Sequence, residues 1–156
     1  MGEWKHASGV IYAYCGYYNT FYPQYASDGN WGNVPWWECR ANHEHYIVLD
    51  MASSFPWSFV RHWYDGRPCG RWTNADVYVS DDPGAFGDPV ATALQFTDGW
   101  VWNQAVLNPV KSGRYIKFVI KSTGGTGGYY CCSYELQAYT EPIAQSLNLC
   151  IPRSVL

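Results

Sequence analysis

The residues able to do chemistry in this chain crowd into loops. The segment His62-Trp63-Tyr64-Asp65-Gly66-Arg67-Pro68-Cys69-Gly70-Arg71-Trp72 packs rings, guanidinium groups, an imidazole and a carboxylate into one connection. Trp31, Trp36, Trp37, Trp100, Trp102, Tyr129 and Tyr130 add further rings near turns. Sugar rings have apolar C–H faces that stack on flat aromatics, and their hydroxyls need rigid polar partners such as Arg, Asn, His or Asp. Taken singly, Trp63 and Trp72 read better as core, and the arginines as surface ion pairs. Taken as a set, the loop reads as a shallow glycan site. Its candidate ligand-binding residues are Trp36, Trp37, His43, His62, Arg67, Arg71, Trp72 and Tyr129.

Two other clusters could hold cations. Cys39, His43 and His45 lie within seven residues, with Glu44 between the histidines, and both residue types ligate zinc. That spacing matches no standard zinc finger and no fourth ligand is evident, so the pattern alone does not make a zinc site. His43 follows the Trp36-Trp37 loop and can serve the sugar instead. Asp28-Gly29-Asn30 offers oxygen donors, and a glycine-containing loop can fold its carbonyls round calcium if a distant carboxylate closes the cage. The plain alternative is an Asx turn.

Catalytic signatures are missing. There is no G-x-S-x-G, no H-E-x-x-H and no glycine loop ahead of a helix; GGTGG lies between two strands. No carboxylate pair stands out for glycoside cleavage. A non-enzyme is expected.

The elements that position these loops are strands. Ile116, Phe118 and Ile120 oppose Tyr115, Lys117 and Lys121, and Tyr134, Leu136 and Ala138 oppose Glu135, Gln137 and Tyr139. That is the period of two of a strand with one buried face. Further strands are predicted in VIYAYCGYY and over 45–51, 58–64, 73–80, 92–96 and 100–107, with the last two at 114–121 and 129–140. Asp65-Gly66, Asp82-Pro83-Gly84, Asp98-Gly99 and Asn108-Pro109 mark turns between them. Pro23 to Asn42 is expected to be a loop without regular structure. Many short strands without a helical period predict an all-β sandwich or jelly roll.

Composition agrees. A chain of 156 residues suits one domain. With 19% aromatic and only 15% charged residues it is too hydrophobic for disorder, and nine tryptophans exceed what a core this size needs. A net charge of −3 argues against nucleic acid, and no apolar run reaches the length of a membrane span. Six cysteines suit disulfides in an extracellular protein, or free thiols. Neighbours Cys131 and Cys132 point to opposite faces of a strand and need separate partners. MGEWKHASG shows no signal peptide, so either a leader has been removed or the protein leaves a cytoplasm by another route, for instance in a virus particle.

The order YASDGNW (Tyr25–Trp31), HYIVLDM (His45–Met51), ADVYVSDD (Ala75–Asp82), GRYIKFVI (Gly113–Ile120) and YELQAYT (Tyr134–Thr140) resembles the coagulation factor 5/8 C-type, or discoidin, domain. Bacterial galactose-binding carbohydrate-binding modules are similar. The resemblance covers about residues 7 to 141 and implies a galactose-binding-like β-sandwich jelly roll. It implies a structural calcium site at Asp28, Asn30 and Glu135, where Asp28 and Glu135 match the family positions. It also implies sugar contacts from an arginine in the 62–72 connection, with Arg67 and Arg71 equal candidates. The family's usual disulfide has no obvious counterpart, though Cys15 with Cys131 or Cys132 would join strands near both termini. Departures are Met51-Ala52 in place of a glycine and SDDPGAFG in the third motif.

The sequence therefore predicts one domain over 1–141 and an apolar tail over 142–156, docked on the domain or on a neighbouring copy. The function expected is non-catalytic glycan recognition, extracellular or at a particle surface. The alternative is a decorating or fibre subunit of a virion or surface assembly.

Overall fold

The computed structural model describes residues 10–17, 19–30, 37–40, 44–65, 71–94, 100–124 and 130–140. Apart from one 3-10 turn at Pro23–Ala26, the elements among them are strands: β1 (Val10–Tyr14), β2 (Trp37–Arg40), β3 (His45–Asp65), β4 (Arg71–Ser80), β5 (Ala91–Leu94), β6 (Trp100–Gly124), β7 (Tyr130–Ser133) and β8 (Glu135–Tyr139). All pairings are antiparallel.

β3 and β6 build the sandwich. The first half of β3 (His45 to Asp50) pairs with β1 on one side and with the end of β6 (Tyr115 to Ile120) on the other. β4 and β5 extend that layer. The second half of β3 (Phe59 to Asp65) pairs with the start of β6 (Trp100 to Val106) and with β8, making the second layer. The ladder slips between Asp50 and Phe55 and again between Trp57 and Phe59, so both strands bend from layer to layer. Two pairs of expected strands are thus single long ones, and the Asn108-Pro109 turn signal lies inside β6 at the second slip.

The core lies between the layers. Ile47, Leu49, Val77, Val79, Ile116, Phe118 and Ile120 face Trp57, Val60, Ala105, Leu107, Leu136 and Ala138. Apart from Trp57 and Val60, which straddle the second slip, these are the period-two positions of their strands. Burying each large aliphatic or aromatic side chain contributes roughly 1.5–3 kcal/mol. The expected irregular run from Pro23 to Asn42 is corrected at two places. Pro23 opens the 3-10 turn, and β2 forms because Trp37 and Cys39, two residues apart, face the core while the backbone pairs with β7. The tail 142–156 lies outside the described residues.

Candidate functional site

Several strands stop at one end of the sandwich. Asp65 at the end of β3 pairs with Trp100 at the start of β6, and Arg71 at the start of β4 pairs with Gly124 at the end of β6. His45 pairs with Ile120, and Arg40 with Tyr130. A stacked ring pair links the two layers here: His62 of β3 lies 4.2 Å from Trp72 of β4, centroid to centroid. The connections 41–43, 66–70, 95–99 and 125–129 therefore leave from a common end.

Three sequence-predicted sugar contacts are not on that rim. Trp37 and Trp72 are fully buried and His62 is 1% exposed. Trp37 packs into the core and its indole Nε1 donates to the Gly16 carbonyl at 2.9 Å. Trp72 sits between His62 and Phe118. Burial pushes the His62 imidazole down to about 3, so it is neutral at ordinary pH. A solvent-facing role for these three is corrected: His62 and Trp72 stack inside the loop-bearing end, and Trp37 packs in the core near the other end of β2. Trp36, His43, Arg67 and Tyr129 lie outside the described residues, and Arg71 is placed by its backbone alone, opposite Gly124.

The predicted calcium residues do come together. Asp28 Oδ1 accepts from the Asn30 N–H at 2.8 Å, an Asx turn, with Gly29 between them at φ +80°. The Gly29 N–H donates to Glu135 Oε2 at 3.2 Å, which sets the loop against β8. Asp28 and Asn30 are exposed, whereas Glu135 is fully buried. Burial pushes the Glu135 carboxyl up to about 8, and the charge of Asp28 adds to the effect. Glu135 therefore does not face solvent. The polar side of β8 is a covered network: Gln137 Nε2 donates to Glu135 Oε1 at 3.3 Å, and Arg61 Nε and the Tyr139 hydroxyl donate to Gln137 Oε1 at 2.7 and 2.6 Å. The Arg61 guanidinium lies 3.9 Å from the centre of the Trp102 ring. A buried carboxyl against an exposed carboxylate and an Asx loop has the donor chemistry calcium takes, namely carboxylate, amide and backbone oxygens.

The cysteine-histidine pattern resolves differently from the sequence spacing. Cys39 and His45 meet Cys15 and Cys131, and the four ligating atoms all lie within 4.8 Å of one another. His43 is outside the described residues. Cys15 Sγ is 3.0 Å from Cys39 Sγ and 3.7 Å from His45 Nδ1. Hydrogen bonding with the Cys131 and Cys39 sulfurs holds Cys15 well below the usual thiol range. Hydrogen bonding with Cys131 works to lower Cys39, but its hydrogen bond with Cys15 and its burial outweigh this and push it up to about 12. Burial raises Cys131. The described cysteines Cys15, Cys39, Cys131 and Cys132 form no disulfide.

Sequence reading missed one aromatic surface. Tyr14, Tyr17, Tyr22 and Tyr25 form a chain of ring contacts with centroids 6.4, 5.0 and 6.1 Å apart. Beside it an open groove of about 420 Å³ is lined by Val10, Ile11, Tyr14, Gln24, Ser27 and Asp28. The only sequence signal was tyrosine density around the first strand.

No family model matches the sequence, and no curated protein matches it. Solved structures do match the fold. A CBM32 module of a family 31 glycoside hydrolase from Clostridium perfringens is 16% identical with TM-score 0.70, over 84% of this chain and 90% of that one. A second C. perfringens module, CpGH89CBM32-5 in complex with GalNAc-β-1,3-galactose, is 16% identical with TM-score 0.69, over 87% and 94%. The CBM32 of AlyQ in complex with 4,5-unsaturated mannuronic acid is 18% identical with TM-score 0.65, over 85% and 98%. The chain has the β-sandwich fold of these galactose-binding-like, discoidin-type modules, as the sequence motifs implied.

Proposed function

We propose that this chain is a non-catalytic carbohydrate-recognition module that takes a glycan at the end of the sandwich where the connections 41–43, 66–70, 95–99 and 125–129 leave. The supporting observation is the convergence of strand ends there, linked across the layers by His62 and Trp72. That end gathers connections carrying His43, Arg67 and Tyr129, with Arg71 at the root of β4. Trp36 precedes the opposite end of β2, at Trp37, and is not gathered by the same argument. A ring for stacking plus guanidinium donors is the minimum a shallow sugar site needs. The two sugar-bound modules of the same fold lend support by analogy. Calcium at Asp28, Asn30 and Glu135 would brace the loop before β2 without taking part in chemistry. One shallow site binds weakly, so useful adhesion at an outer surface calls for many copies.

A glycan array with the purified protein tests this. Arg67→Ala, Arg71→Ala and Tyr129→Ala should abolish the signal with the melting midpoint unchanged. The tyrosine chain is the second location, favoured by its exposed rings, with Tyr17 50% exposed. Loss in Tyr17→Ala alone would move the site there. A silent array with folded protein removes the proposal. The decorating-subunit alternative, drawn from the absent signal peptide and the apolar tail, finds no support among the described residues, and residues 142–156 lie outside them.

A further inference from the structure

We infer that Cys15, Cys39, His45 and Cys131 bind one structural zinc ion as a Cys3His site. The four side chains come from the exit of β1, from β2, from the first residue of β3 and from β7, so no local motif announces them. Cys39, His45 and Cys131 are buried and Cys15 is half-buried. Three sulfurs and one imidazole nitrogen within 4.8 Å of one another are the full donor set of a closed tetrahedral zinc site. Zinc–sulfur bonds of about 2.3 Å place tetrahedral sulfurs roughly 3.8 Å apart, with sulfur to nitrogen slightly less. The 3.7 Å between Cys15 Sγ and His45 Nδ1 already meets that spacing. The 3.0 Å between Cys15 Sγ and Cys39 Sγ has to open by less than about 1 Å.

The backbone beneath these side chains is fixed independently of any ion. The Cys15 N–H donates to the Tyr46 carbonyl at 3.0 Å, beside His45. Trp37 Nε1 holds the Gly16 carbonyl at 2.9 Å. Cys39 and Cys131 are direct partners in the β2–β7 ladder, and His45 is paired with Ile120. A disulfide would consume two sulfurs and strand the third thiol with the imidazole, whereas zinc uses all four donors. On binding, the thiols that still carry protons release them to solvent, and the imidazole ligates through an unprotonated ring nitrogen. The ion would clip the two-stranded β2–β7 sheet to the first layer, directly below the connections 41–43 and 125–129. This site is separate from the Asp28–Glu135 pair, and it does not depend on sugar binding.

The test uses the full chain with Cys69→Ser and Cys150→Ser, purified in reductant from zinc-containing medium. Metal analysis should find about one zinc per chain. Exchange with cobalt should give the intense visible bands of a tetrahedral thiolate site. Cys39→Ser and Cys131→Ser should lose both, while Cys132→Ser, one residue along and facing the other way, keeps them. Where the buried variants fail to fold, alkylation of the unsubstituted cluster replaces them. Cys15, Cys39 and Cys131 should resist iodoacetamide until 1,10-phenanthroline strips the metal. The chelator should also lower the melting midpoint, with recovery on zinc and not on calcium. Protein without stoichiometric zinc or cobalt bands overturns the assignment. So does a disulfide within Cys15, Cys39 and Cys131, a different resident metal, or loss of metal in folded Cys132→Ser.

Discussion

His62 lies flat on Trp72, with ring centroids 4.2 Å apart and planes inclined by 14°. One ring belongs to β3 in the second layer and the other to β4 in the first, so this stack closes the sandwich at its loop-bearing end. Trp72 is fully buried there. Trp72→Ala should therefore cost about 3–5 kcal/mol in urea unfolding, the range for deleting a buried aromatic. Any fall in glycan binding should follow the folded fraction. A Trp72→Ala protein that is as stable as the parent but has lost sugar would return the ring to the binding surface.

The same stack gives a pH dependence. Burial lowers His62 from its ordinary 6.5 to about 3 in the folded state. Between those values the unfolded chain takes up a proton that the folded chain refuses. Stability from this group is therefore complete above about pH 6.5 and is lost as pH falls toward 3, on the order of a few kcal/mol in total. His62→Phe keeps a ring on Trp72 and removes the titration. The difference in unfolding free energy between parent and His62→Phe should slope with pH across that window and be flat above it. A difference that is flat below pH 6.5 as well would mean that His62 is not buried neutral.

The long strands were legible because their inward positions obey a period of two. Ile116, Phe118 and Ile120 all face the core, and so do Leu136 and Ala138. What escaped the sequence depends on what lies opposite. The alternation of β8 was correct, yet its polar side, Glu135, Gln137 and Tyr139, is covered as well, because Arg61 and the Gly29 loop pack over it. The tryptophans next to loops looked like a binding surface because one-dimensional spacing does not separate a ring in a loop from a ring under it. Cys15 and Cys131 are far in sequence from Cys39 and His45, and only the pairing of β2 with β7 and of β1 with β3 brings the four together. The Asp28–Glu135 contact was found through family motifs and not through any local pattern.

Gly113 carries one legible signal further. It opens the GRYIKFVI motif, and a Cβ there would come within 2.7 Å of Val79 Cγ1 and 2.8 Å of the Ser80 backbone. Its carbonyl also accepts from Trp57 Nε1 at 2.7 Å, inside the core. Backbone atoms cannot move aside as a flexible side chain can. Gly113→Ala should destabilise by roughly 1–3 kcal/mol through overpacking, measured by denaturant unfolding. A neutral or stabilising result would show that β4 and β6 are further apart here than this contact requires.

Calcium divides the Asp28–Glu135 arrangement into two testable states. In one, the Asx turn and the Gly29 N–H satisfy the carboxyl oxygens and no ion is needed. In the other, calcium gathers Asp28, Asn30, Glu135 and backbone carbonyls and replaces the proton that burial keeps on Glu135. A ligand that binds only the folded state stabilises it by RT ln(1 + [L]/Kd), about 2.7 kcal/mol at a hundredfold excess over Kd. Calcium should thus raise the melting midpoint by several degrees. Magnesium should not, since its smaller shell demands near-octahedral geometry that a loop of this kind does not impose. Glu135→Gln removes the charge but keeps a hydrogen-bonding side chain, so it should fold and lose the calcium response; Asp28→Asn should weaken it. Equal midpoints with and without calcium in the parent protein would leave Asp28 as a plain Asx turn and Glu135 as a member of the buried network with Gln137.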